Sequence, residues 1–154
     1  MRRKDREIKE TSEILKVMDE CKVCHIALKD DQGLYIVPMN FGYVYKHDQL
    51  SLYVHSAKEG RKYSAFHQFP EVAFEMDSGH ELVAAQTACA YSYYYQSVMG
   101  NGLIHEVKDI QEKEQALSCL MKHQTGKDFV FDEKMAQSVA VFRLDVSSFS
   151  GKRH

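Results

Sequence analysis

Leu50-Ser-Leu-Tyr-Val-His-Ser-Ala-Lys-Glu-Gly-Arg-Lys62 is the stretch on which the reading of this chain turns. Its first half alternates. Leu50, Leu52 and Val54 share one face and Ser51, Tyr53 and His55 the other, the period-2 pattern of a half-buried strand. The pattern then changes. Ser56-Ala57-Lys58-Glu59 has the spacing of a capping box, in which the Ser oxygen accepts a first-turn N–H and the Glu side chain accepts the Ser N–H. Tyr63, Phe66 and Phe69 recur at three-residue spacing until Pro70 ends the helix. A strand therefore runs straight into a helix N-terminus. Unpaired N–H groups and the positive end of the macrodipole meet there, with Arg61 and Lys62 within a turn, and that is the chemistry of a phosphate site. Gly60 inside a helix costs about 1 kcal/mol relative to Ala, which points to a ligand or a packed backbone that needs the missing side chain. The same residues also read as a capped amphipathic helix whose basic side chains face water.

Composition narrows what surrounds this stretch. The 154 residues suit a single domain, 1–154, with a substantial core; 44% are apolar and 27% charged, as in soluble globular proteins. A net charge of −2 gives no broad footprint for nucleic acid or an anionic membrane, so any anion site must be local. No apolar run approaches membrane-spanning length, and Arg2, Arg3 and Lys4 are not followed by an apolar segment. The expectation is a cytoplasmic protein with its four cysteines reduced.

Outward from the opening stretch, the chain reads mainly as β-structure. Residues 1–10 form a charged arm, and Thr11 or Ser12 can cap a helix with Ile14, Leu15, Met18 and Cys21 on one face. Strands are expected at Val23–Leu28 and Leu34–Tyr45, the latter interrupted by Pro38, which places it at an edge or at a bulge. Asp30-Asp31-Gln32-Gly33 is turn chemistry and Lys46–Gln49 a hairpin loop. Further strands are expected at Glu71–Met76, Cys89–Glu106 (broken by Gly100 and Gly102) and Val139–Val146. Asp109 with Glu112 opens another helix, which Gly126 stops, and Gly151–His154 reads as a basic tail. About six strands with inserted helices and no repeated strand–helix–strand unit fit a closed or nearly closed antiparallel barrel.

Three segments carry a resemblance: Pro38-Met-Asn-Phe-Gly-Tyr43, His55-Ser-Ala-Lys-Glu-Gly-Arg-Lys62 and Tyr94-Tyr-Gln-Ser-Val-Met-Gly-Asn-Gly102. Together, in this order, they resemble the flavin-binding split-barrel proteins related to pyridoxamine 5′-phosphate oxidase, closest to the 5-nitroimidazole-resistance branch. The resemblance implies a six-stranded antiparallel split β-barrel of Greek-key type with peripheral α-helices. It implies a homodimer with FMN, or FAD, in the cleft between subunits. Arg61 and Lys62 would hold the phosphate, and His55 and Ser56 would contact the phosphate, ribityl chain or ring. The backbone of Pro38, Met39, Asn40 and Phe41 would follow the isoalloxazine edge, and Gln96 and Ser97 would reach the flavin from the long strand. Gln96 departs from the pattern, where a longer group such as Arg is expected.

Other constellations compete. Cys21-Lys-Val-Cys-His25 has the spacing of c-type haem attachment, but small core cysteines at a helix-to-strand junction account for it as well. Tyr91, Tyr93, Tyr94 and Tyr95 can line a cleft, although alternation turns half of them to packing. Lys152 and Arg153 read as a frayed tail rather than a second phosphate grip. The function these readings favour is an FMN-dependent oxidoreductase that reduces 5-nitroimidazoles or similar small planar nitroaromatics; the resemblance places His55 beside the flavin, either as the proton donor or as a ring that packs against the cofactor or Tyr53. A carrier or sensor of flavin on the same barrel is the alternative. Oxidation of pyridoxamine phosphate would need a second basic cluster, which the sequence does not display.

Overall fold

Alternating burial in nearly every strand segment drives the chain into one curled antiparallel sheet. The computed structural model describes residues 3–154. In chain order the elements are β1 (Glu7–Ile8), α1 (Thr11–Glu20), β2 (Val23–Asp30), β3 (Gly33–Asn40), β4 (Gly42–Lys46), β5 (Gln49–Ser56), α2 (Arg61–Gln68), β6 (Glu71–Val83), β7 (Ser92–Glu106), α3 (Ile110–Thr125), α4 (Glu133–Gln137) and β8 (Ala140–Arg153). The strand order is β3-β2-β6-β7-β8-β5-β4, with β1 added to β8. The end strands β3 and β4 follow one another in the chain, separated only by Phe41, and do not pair with each other.

Among the described residues the sheet has eight strands and stays open, which corrects the expected six-stranded count. Two local events account for the difference. The stretch expected as one strand from Leu34 to Tyr45 splits at Phe41, whose fully buried ring turns inward. Directly after it, a Cβ on Gly42 would stand 2.6 Å from the Leu120 backbone, so α3 packs straight onto the chain there. Pro38 does not break the strand. It pairs with His25 on β2 and leaves the outer edge of β3 without a neighbour, as a residue with no N–H requires. The second event is at the chain ends. The charged arm contributes β1, and the stretch expected to be a frayed basic tail lies in β8. Lys152 pairs with Glu7 on one side and with Ser97 on the other, and Gly151 is buried. β7 likewise runs unbroken past Gly100 and Gly102, with only a register shift against β8.

Inside the curl, Phe41, Phe66, Phe74, Phe142, Leu50, Leu52, Met76, Ile104 and Leu144 are almost fully buried. Each such side chain is worth about 1.5–3 kcal/mol on leaving water. The first half of the opening stretch behaves as its alternation requires, with Leu50, Leu52, Val54 and Ser56 inward. α1 covers one mouth with Ile14, Val17 and Met18, but neither Thr11 nor Ser12 caps it; its N-cap is Glu10, with no side-chain bond. α3 is capped as expected, Asp109 accepting the Glu112 N–H at 2.8 Å, and it ends at Gly126 in the left-handed region. No helix among the described residues is long and apolar enough to cross a membrane.

Candidate functional site

The corner between β5 and α2 is built differently from the capping box its sequence suggests. Ser56 is buried at the end of β5, and its hydroxyl donates to the Ala57 carbonyl at 2.7 Å. The helix starts five residues later, at Arg61, and its N-cap is Gly60, at φ +98° and with no side chain to offer. That angle, rather than a crowded neighbour, explains the glycine: a Cβ at Gly60 would meet nothing within 4 Å. The first intrahelical bond runs from Ser64 N–H to the Gly60 carbonyl. No side chain caps the first turn, and no acidic residue sits in it. The positive end of α2 is thus left open, with two cations beside it.

Those cations differ. Arg61 is held by Asp30, Nε donating at 2.6 Å and Nη2 at 3.0 Å, and lies 4.2 Å above the Tyr35 ring. Lys62 makes no ion pair among the described residues. Its charge is felt by His55, whose pKa falls below the usual imidazole value, first because the ring is desolvated and then because Lys62 is close. His55 faces outward from β5 into a cavity of about 330 Å³ lined by Leu117, Leu120, Phe131, Met135 and Val139. A neutral ring at the wall of an apolar pocket can donate or accept one hydrogen bond there. Lys58, on the intervening bend, donates its ammonium to the Gln137 carbonyl at the end of α4.

The other expected residues lie at varied distances from this corner. Met39 and Phe41 turn into the core, while Pro38 and Asn40 face out along the edge of β3. The Asn40 amide donates to Lys22 O at 3.0 Å, and the Phe41 carbonyl accepts from Gln124 at 2.9 Å. Gln96 and Ser97 are not brought to the corner within one chain. Ser56 pairs with Ala140 at the start of β8, whereas Gln96 pairs with Arg153 at its far end. At roughly 3.3 Å per residue the two ends are about 40 Å apart along the strand. Gln96 is also occupied, donating to Ser78 Oγ at 3.1 Å and to the Glu20 carboxylate while accepting from Arg153 at 3.1 Å.

Asp30 and Tyr35 are the residues that sequence reasoning missed. Asp30 read as a turn residue, and it does accept the Gln32 N–H at 2.8 Å. Nothing in the sequence ties it to an arginine 31 positions later. In the Cys-x-x-Cys-His segment the two cysteines are core while Lys22, Val23 and His25 are exposed, and burial pushes the Cys21 thiol up to about 11 and the Cys24 thiol up to about 12. Among the described residues no three His, Cys, Asp or Glu side chains gather as a metal site. Tyr91, Tyr93 and Tyr94 are exposed near the β6–β7 turn, and Tyr95 is partly buried.

The family model described as pyridoxamine 5′-phosphate oxidase matches residues 10–153. The chain belongs to that family. Among solved structures, a candidate 5-nitroimidazole antibiotic resistance protein from Bacteroides thetaiotaomicron is 31% identical, with a TM-score of 0.81 over 96% of this chain and 86% of that one. A FAD and heme binding protein from Mycobacterium smegmatis is 17% identical, with a TM-score of 0.81 over 96% of this chain and 73% of that one. A FAD-binding protein from Mesorhizobium loti is 23% identical, with a TM-score of 0.65 over 97% of each chain. The last two share the fold with this family member. No curated protein matches the sequence.

Proposed function

We propose that this chain is an FMN-dependent oxidoreductase that reduces 5-nitroimidazoles or related planar nitroaromatics. One observation carries the reading: the uncapped N-terminus of α2, with Arg61 and Lys62 at its positive end and His55 beside an apolar pocket. First-turn N–H groups left open on the protein side are satisfied by water or by an external anion. A phosphate monoester carries nearly two negative charges, which the Lys62 ammonium, the Arg61 guanidinium and the first-turn N–H groups match. The residues present therefore fit the phosphate of FMN, and FAD offers related phosphate chemistry to the same donors. Membership of the oxidase family and the likeness to a candidate nitroimidazole-resistance protein support both the cofactor and the substrate class.

In this reading each side chain has a definite task. Lys62 supplies net charge and Arg61 directed hydrogen bonds. The outer edge of β3 at Pro38 and Asn40 offers backbone groups that no strand uses. Flavin, when bound, supplies the electron transfer. His55 lines the pocket, is neutral near pH 7, and becomes a proton donor below its lowered pKa. The apolar walls from α3 and α4 suit a flat, uncharged ring. Gln96 and Ser97 stand far from this corner in one chain, which favours a homodimer in which the partner's Gln96 and the partner's Ser97 complete the cleft.

The absorption spectrum of the purified protein tests the cofactor. A flavin spectrum, or its appearance on adding FMN, is expected, and a colourless protein that takes up none would sink the reading. Steady-state consumption of NAD(P)H with a 5-nitroimidazole acceptor tests turnover. Bound flavin that no common donor reduces would instead favour a carrier or sensor.

A further inference from the structure

The guanidinium at the open end of α2 is already gripped. Arg61 places Nε 2.6 Å from Asp30 Oδ2 and Nη2 3.0 Å from Oδ1, a two-bond fork. The Asp30 side chain is only 8% exposed, while that of Arg61 is 36% exposed. Asp30 is itself fixed, since Oδ1 also accepts the Gln32 N–H at 2.8 Å within its own turn. The Tyr35 ring forms a floor 4.2 Å beneath the guanidinium. The β2–β3 hairpin thus reaches across the fold to hold the first residue of α2. Arg61 in turn keeps the Asp30 carboxyl below the usual carboxylate range.

An arginine has five N–H groups in a rigid plane. Asp30 takes two of them, so the others point in a set direction and remain available. The ion pair has no net charge. What Arg61 can give an anion is therefore aim rather than charge, and Lys62 supplies the charge. We propose that Asp30 is a positioning residue for the flavin phosphate: by clamping Arg61 over Tyr35 it fixes the direction of the remaining guanidinium N–H groups. This rests on the flavin reading above. Holding a long side chain in place before the ligand arrives removes the entropy cost of ordering it on binding.

The test compares FMN with riboflavin, which has the ring and the ribityl chain but no phosphate, by quenching of flavin fluorescence. Asp30→Asn keeps an acceptor for the Gln32 N–H while removing the charge that grips Arg61. We expect it to weaken FMN binding about tenfold, the worth of one charge-assisted hydrogen bond, and to leave riboflavin binding unchanged. Tyr35→Leu should weaken FMN binding in the same selective way, but less. In an Arg61→Gln background Asp30→Asn should add nothing, because a positioning residue acts only through its partner. A purely structural role would lower FMN and riboflavin affinity together. If wild type binds FMN and Asp30→Asn binds it equally well or better, or if the two substitutions simply add, the clamp is not a positioning device. If wild type binds no flavin, the functional reading falls and this inference with it.

Discussion

Among the four helices, α3 and α4 begin with a side-chain cap, while α1 and α2 have none, and only α2 also lacks an acidic residue in its first turn. α3 starts at Asp109, whose carboxylate accepts the Glu112 N–H at 2.8 Å, and Glu112 adds a negative charge to the first turn. α4 does the same with Asp132 and Met135 N–H at 2.8 Å. α2 starts at Gly60 with no side-chain cap, no acidic residue in its first turn, and Arg61 and Lys62 where the macrodipole favours anions. α3 and α4 satisfy their own N-terminal ends with a side chain. α2 leaves its end without a cap and sets the Lys62 charge, unpaired among the described residues, near its positive pole, which lowers its intrinsic stability and makes sense as a seat for something negative. The contrast teaches that a capping box in sequence is only a spacing. Whether the serine reaches the helix depends on where the intervening backbone sends it.

This contrast can be broken or sharpened by substitution. The largest effect is expected at Lys62. Lys62→Glu should weaken FMN binding about a hundredfold, near 2.7 kcal/mol, while raising the thermal midpoint slightly, because an acid now faces the helix N-terminus. A stability loss with intact FMN binding would mean that the open end of α2 serves the fold. Gly60→Ala should cost about 2 kcal/mol, because φ +98° is strained for any residue with a Cβ even where space is free. Chemical denaturation measures this, and a neutral result would remove the backbone explanation for the glycine. At the other helix, Asp109→Ala should cost about 1 kcal/mol, a fall of roughly 3 °C in midpoint for a domain of this size, with flavin affinity untouched.

The smallest effect concerns His55. Its folded pKa lies below the ordinary value of about 6.5, so the folded state binds fewer protons than the unfolded chain below that pH. As pH falls below about 6.5, charging of this ring in the unfolded state should therefore erode stability, until the folded pKa is reached. NMR titration of the imidazole should place its midpoint below about 6.5, and Lys62→Gln should move it upward by removing the nearby positive charge. A midpoint that ignores Lys62 would separate the ring from the anion corner.

Much of the architecture was legible because it depends on local pattern. The β5 alternation, the Asp109 cap and the Gly126 stop all follow from rules that act over a few residues, and Pro38 limited its strand to an edge or a bulge, of which the sheet order shows the edge. The strand count was not, because Phe41 breaks the chain by packing inward, and β1 and the end of β8 become strands only by pairing with each other and with β7. Within the candidate site, Arg61, Lys62 and His55 could be singled out from sequence since they sit within eight positions on one corner. Asp30 and Tyr35 could not, because their link to Arg61 crosses the fold and leaves no periodic trace.

The sequence by itself determined that a strand ends in His55 and Ser56 and that a helix with two cations at its start follows, because side-chain alternation and helix breakers are local properties. Only the tertiary structure decided how that corner works. It turned Ser56 inward, set Gly60 at a positive φ, and brought Asp30 under Arg61. A hydrogen bond needs two groups at one place, and for residues 31 positions apart only the folded sheet brings them together.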